Sequence, residues 1–255
     1  ASTVKSIRAA MTQFLNFQID SGHNIDFKDV DMNFYHEYTS YLKNKNYSIN
    51  SVGKCIKELK TVLRSAESEG FDVNPKYKDK KFKGTRVDVD SIYLTRDDLN
   101  KIMNVNLSQL SNGYGHARDI FMVGVWTAQR ISDYNNLSRD NIKSHRIPKL
   151  IDNQVVYKEF LTIDIRQKKT GVKISIPVSS ELKSILERYD YQLPHLDDQV
   201  LNRYMKEICK MAGLDELVEI QTTKGGKAVK ELKHKWELVH SHTARRTGAT
   251  LMYLA

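Results

Sequence analysis

Apolar positions recur at helical spacing through the first third of the chain. Val4, Ile7, Met11, Phe14 and Leu15 fall on one face of a first helix, and Phe34, Tyr38, Tyr41 and Leu42 on one face of a second, with Asp31 placed as its N-cap. The third stripe is the clearest: Ile49, Val52, Ile56, Leu59, Leu63 and Ala66 follow Ser48 and precede Gly70, the residues expected at a helix start and just past a helix end. Three such faces need one another, which predicts a small helical bundle. Asn74-Pro75 ends the pattern. Residues 76–83 then place five lysines in eight positions around Tyr77 and Phe82. This stretch reads as a charged linker, either a solvated tether or a strap along a phosphate backbone.

Beyond it, Thr95-Arg96-Asp97-Asp98 has the form of a capping box opening a helix through Leu99 and Ile102. Residues 116–126 form a strongly apolar helix, and Arg130 follows at the start of a short one over 131–137. The period then changes to two over 160–166 and again over 172–178, predicting a hairpin whose tight turn is Gln167-Lys168-Lys169-Thr170-Gly171. Helices over 179–189 and 197–212, a weaker hairpin around Lys224-Gly225-Gly226, and a last helix from about His242 complete the pattern. The fold class expected is mostly α with a small antiparallel β component. It divides into a helical domain over 1–83, with its basic linker from about residue 74, and an α+β domain over 84–255.

Composition narrows the function. Forty Lys and Arg against 31 Asp and Glu give a net charge of +9, and the excess is spread over both parts of the chain. An anionic partner is expected, with nucleic acid the usual one. Cys55 and Cys209 have no neighbours at metal-ligand spacing and form no disulfide framework, which fits a reducing cytoplasm. No apolar run reaches membrane-spanning length.

The chemistry-bearing residues fit that partner. His242-Thr243-Ala244-Arg245-Arg246 puts His242 and Arg245 on one helical face. Without a metal, phosphodiester exchange needs cations aimed at the non-bridging oxygens, a proton for the leaving oxygen and a nucleophile. Two Arg, one Lys and one His supply all of these except the nucleophile. The segment from Thr127 to Leu137, the Lys168-Lys169-Thr170-Gly171 turn and the His242-x-x-Arg245 box, in this order, resemble the boxes of the tyrosine recombinases, also called the phage integrase family. The first 83 residues resemble the core-binding, SAM-like domain of integrases from bacterial mobile elements.

The resemblance implies a site-specific DNA recombinase that cuts one strand at a time through a 3′-phosphotyrosyl link, without ATP, metal or other cofactor. Arg130 and Arg245 would clamp the scissile phosphate, Lys169 (with Lys168 as the competing choice) would protonate the leaving 5′ oxygen, and His242 would activate or orient the nucleophile. Asp133 would support the site. Lys54, Lys57, Lys76, Lys78, Lys80, Lys81 and Arg246 are candidate DNA contacts. The implied partner is a double-stranded core site in the bacterial cytoplasm, with dimers and tetramers on DNA and accessory bending or directionality proteins. His240 and His234 are read as structural, His240 on a strand leading into the site.

The sequence departs from the family pattern in three ways. Gln129 stands where many members carry an apolar residue. An arm-binding domain is not expected within these residues, and the family's nucleophilic tyrosine is expected well beyond the second box, so Tyr253, eight residues after Arg245, is rejected for that role. The chain is therefore expected to be a fragment that binds DNA without cutting it. Two other functions remain in view. One is a type IB topoisomerase-like enzyme, disfavoured because His242 stands where those enzymes commonly carry Lys. The other is a DNA-binding module without catalysis.

Overall fold

The computed structural model describes residues 2–151 and 154–254. They form two compact units, Ala1–Asp90 with Glu219–Leu232, and Ser91–Val218 with Lys233–Ala255.

In the first unit, helices α1 (Ser2–Ser21), α2 (Met32–Asn44) and α3 (Ile49–Ser68) pack as the bundle that the three stripes predict. The caps are those expected: Asp31 accepts the N–H of Phe34, and Ser48 accepts that of Ser51. Gly70, with φ +88°, closes α3 while Phe71 N–H returns to Ala66 O. The core joins Phe17, Phe34, Tyr38, Leu42, Ile56 and Leu63. On α1 the stripe is rotated from the expectation: Ala10 and Phe17 are buried, whereas Val4 and Leu15 are exposed. Met11 and Phe14 pack against the buried pair, and α1 turns to follow them.

The charged stretch after Asn74 is not a free tether. Its lysines point outward, but Tyr77 and Phe82 are wholly buried in the bundle core. Tyr77 OH donates to Glu67 Oε2 at 2.7 Å, and Lys60 Nζ donates to Phe82 O at 2.6 Å. The two aromatics supply the apolar area that fastens the segment to α3. The chain then crosses α3 where Gly53 and Gly84 face each other. A Cβ at Gly53 would stand 2.1 Å from Thr85 O, and one at Gly84 2.1 Å from Gly53 O, so only glycine permits this approach. Asn50 goes on to bracket Val87 through both backbone groups. The compact unit runs to Asp90, and the outer part of a late hairpin joins it, with Ile49 N–H donating to Thr223 Oγ1.

The second unit contains α4 (Arg96–Met103), α5 (Asn112–Thr127), α6 (Ile131–Tyr134), α7 (Ser180–Arg188), α8 (Asp198–Met211) and α9 (Ser241–Leu254). Its sheet has the antiparallel order β1 (Ile142–Ile151), β2 (Gln154–Arg166), β3 (Lys173–Pro177). The capping box at Thr95 and Asp98 is present in both directions. β1 escapes the sequence pattern because it is exposed along most of its length and shows no alternation of buried positions. Hairpin β4 (Leu217–Lys224) and β5 (Lys227–His234) turns at Gly225-Gly226, both with positive φ. α5 is the central element, buried almost continuously from Ala117 to Thr127. α9 lies directly on it at Gly248, where a Cβ would stand 2.0 Å from Val125 O.

Candidate active site

Three pieces of the second unit carry the candidate residues. The first is the end of α5. Ala128 takes a left-handed conformation, φ +52°, which stops the helix and turns the chain so that Arg130 becomes the extended N-cap residue of α6. α6 is shorter than the expected 131–137. Asp133, on α6, is buried, and its Oδ1 accepts the N–H of Lys168 at 2.9 Å.

The second piece is the β2–β3 turn. Gln167 N–H bonds Val172 O, Gly171 N–H bonds Gln167 O, and Gly171 supplies φ +70°. Lys168 and Lys169 are both exposed on this turn. Lys169 is among the cations that act on the His242 ring.

The third piece is the start of α9. His240 precedes it in a loop rather than on a strand, and its Nδ1 accepts the N–H of His242 at 3.2 Å, so the imidazole serves as the helix cap. The two rings lie parallel, centroids 6.4 Å apart. Asn202 Oδ1 accepts the neighbouring N–H of Ser241 at 2.6 Å. Capping by Nδ1 needs a neutral ring, and burial, followed by the charge of Arg246, holds the His240 pKa below its ordinary value. A histidine cap has no sequence signature separate from other helix starts, so His240 reads from sequence as structural.

The electrostatics bring the three pieces together. His242 has its pKa lowered by burial and then by Arg246, Arg245, Arg130 and Lys169. Arg245 is also pushed down, by burial and by Arg130, with Asp133 opposing. The cationic side chains of distant sequence segments thus converge on one spot. Arg130 Nη1 and Arg245 Nη1 are shielded from solvent and make no hydrogen bond among the described residues; the same holds for Asp133 Oδ2. Arg246 is turned aside, its Nη1 3.4 Å from Ile92 O.

The candidate DNA contacts of the first unit divide. Lys54 and Lys57 line a groove of about 620 Å³ together with Lys60, Arg64, Lys83 and Arg86. Lys60 reads from sequence with Lys54 and Lys57 as one surface of the third helix, either DNA-facing or solvated, whereas Arg64, Lys83 and Arg86 are not among the expected contacts; Lys57, Lys60 and Arg64 repeat at three and four residues and so share a helix face. Lys60 is partly committed, through its bond to Phe82 O. Lys78 is paired with Glu67 at 2.6 Å, while Lys76, Lys80 and Lys81 are exposed and in no ion pair among the described residues.

Residues 1–83 match the family described as the phage integrase SAM-like domain. Among solved structures, a lambda integrase dimer bound to a COC′ core site superposes with a TM-score of 0.64 at 17% identity, over 98% of this chain and 80% of that one. The chain has the tyrosine recombinase fold. XerH site-specific recombinase bound to palindromic difH substrate shares this fold with a TM-score of 0.64, at 15% identity over 98% of this chain and 68% of that one. The Tn1549 transposon integrase in complex with transposon right end DNA gives 0.60, at 13% identity, over 99% and 81%. No curated protein matches the chain by sequence. Within the tyrosine recombinase fold, Arg130, the Lys169 turn and the His242–Arg245 helix start form one cationic cluster. No described helix is long and apolar enough to cross a membrane.

Proposed function

We propose that this chain carries the core-binding and catalytic parts of a site-specific DNA recombinase of the integrase type. The observation that carries the reading is the pair of guanidinium nitrogens, Arg130 Nη1 and Arg245 Nη1, both buried and without a protein acceptor among the described residues. A buried donor left unbonded costs about 1–3 kcal/mol, more when charged. A phosphate diester offers each guanidinium an acceptor oxygen and offsets that cost.

In this reading Arg130 and Arg245 hold the two non-bridging oxygens of the scissile phosphate and stabilise the charge that grows on them as the phosphorus becomes five-coordinate. A tyrosine oxygen attacks phosphorus in line, and the bond to the 5′ oxygen breaks. Lys169 gives its proton to that oxygen as it leaves. His242, its pKa held down by burial and then by its cationic neighbours, accepts a hydrogen bond from the tyrosine hydroxyl and takes up its proton as that oxygen attacks. Asp133 fixes the lysine-bearing turn through the Lys168 N–H. Rejoining reverses each step with a new 5′ hydroxyl. The Lys54, Lys57 and Arg86 groove binds the duplex backbone by neutralising phosphates. Dimers on a core site and tetramers in the synapse are the proposed assemblies, and accessory bending or directionality proteins the proposed partners.

The test begins with selection of a bound duplex from a random pool, which supplies the core site. A nicked version of that site is then incubated with a form of the protein that includes the nucleophilic tyrosine. The expected result is a 3′-phosphotyrosyl adduct, identified by mass spectrometry, followed by strand exchange between two sites. Relaxation of supercoils without exchange would replace this reading with a topoisomerase, and binding without any adduct would replace it with a non-catalytic module.

A further inference from the structure

We propose that Gln129 is a positioning residue for Lys169, acting through Gln167. The inference rests on the reading of Lys169 as proton donor. The family resemblance assigns Gln129 no role, yet its side chain bridges the end of α5 and the β2–β3 turn.

The hydrogen bonds form a continuous line. Thr127, buried at the end of α5, is anchored by its hydroxyl to Val123 O at 2.7 Å. Gln129 Nε2 donates to Thr127 O at 3.1 Å. A carbonyl only accepts, so this bond fixes which way the Gln129 amide faces and leaves Oε1 turned to the hairpin. Gln167 Nε2 donates to that oxygen at 2.7 Å, and Gln167 Oε1 in turn accepts the hydroxyl of Thr170 at 2.7 Å. Both amides are half-buried.

The line and the Asp133 bond hold opposite flanks of the lysine. Lys168 is pinned to α6 through its N–H, and Thr170 is pinned to α5 through the two glutamines. Lys169 lies between them, exposed and with a long side chain whose reach depends on where the turn sits. An apolar residue at 129 would remove one of the two ties and leave the other. Misplacement by about 1 Å is enough to cost a catalytic group about 100-fold. Gln129 therefore sets the efficiency of leaving-group protonation without touching DNA.

The leaving group provides a test specific to this role. In a duplex whose scissile 5′ oxygen is replaced by sulfur, the departing thiolate, with a thiol pKa of about 8.5, needs no proton donor. In a form of the protein that includes the nucleophilic tyrosine, Gln129→Leu should cleave the oxygen substrate about 10- to 100-fold more slowly than wild type. It should cleave the sulfur substrate at the wild-type rate, and so should Lys169→Ala. On residues 1–255 alone, amide exchange of Gln167 and Gly171 should quicken in Gln129→Leu while that of Ile163 stays unchanged. Equal slowing on both substrates, or no slowing on oxygen, would overturn the proposal. Failure of sulfur to restore Lys169→Ala would instead remove the proton-donor reading itself. Should Gln129→Leu lose its fold by circular dichroism, Gln167→Leu carries the same pair of measurements.

Discussion

Arg130 and Arg245 act on their surroundings even before any ligand is considered. Burial, and then their charges with those of Arg246 and Lys169, hold His242 below its ordinary pKa. Replacing Arg245 with Gln should therefore raise the His242 pKa, read from the imidazole proton shifts in an NMR titration. An unchanged midpoint would mean that the two residues do not share a site. The linkage to stability has a definite sign. For His240 and His242 the folded-state pKa lies below the unfolded value of about 6.5, so the unfolded chain binds more protons between the two values. Their contribution to stability is complete above about pH 6.5 and falls as the pH drops below it. Denaturant melts at pH 7.5 and 5.5 should show a smaller acid loss in a His240→Asn, His242→Asn double variant than in wild type.

At the scale of elements, the site depends on close contacts that leave no room for a methyl group. Gly248→Ala would drive a Cβ to 2.0 Å from Val125 O and push α9, with His242 and Arg245, off α5. A stability loss of about 1–3 kcal/mol or more is expected in thermal melts. Phe82→Ala removes a fully buried ring from the bundle and should cost about 3–5 kcal/mol. A loss within 0.5 kcal/mol would restore the picture of a free linker. These elements differ in how legible they were. α3 could be read from its stripe and caps because burial, propensity and termini all agree there. β1 could not, since an exposed strand needs no alternation. The burial of Tyr77 and Phe82 was hidden among lysines: composition reports the outward face of such a segment, and only its two aromatics report the inward one. The boxes holding Arg130, Lys169 and Arg245 were legible as local patterns. The Gln129–Gln167 and His240 contacts were not, because side chains that meet only after folding leave no spacing in the sequence.

For the whole molecule, the positive charge is spread over both units, and the first gathers part of it into the Lys54–Arg86 groove. Binding to duplex DNA should weaken steeply with salt, and Lys57→Ala should flatten the slope of log K against log salt by about 0.9, the value for one phosphate contact. An unchanged slope would remove Lys57 from the interface. The central claim, that Arg130 and Arg245 form one phosphate clamp for strand cleavage, is tested most directly by covalent trapping on a nicked core site. The assay compares wild type, Arg130→Ala and Arg245→Ala in a form that includes the nucleophilic tyrosine, with DNA affinity measured in parallel. The account predicts that either substitution abolishes the adduct while affinity stays within about threefold, since each removes only one of many phosphate contacts. An adduct formed at the wild-type rate by either variant would contradict it.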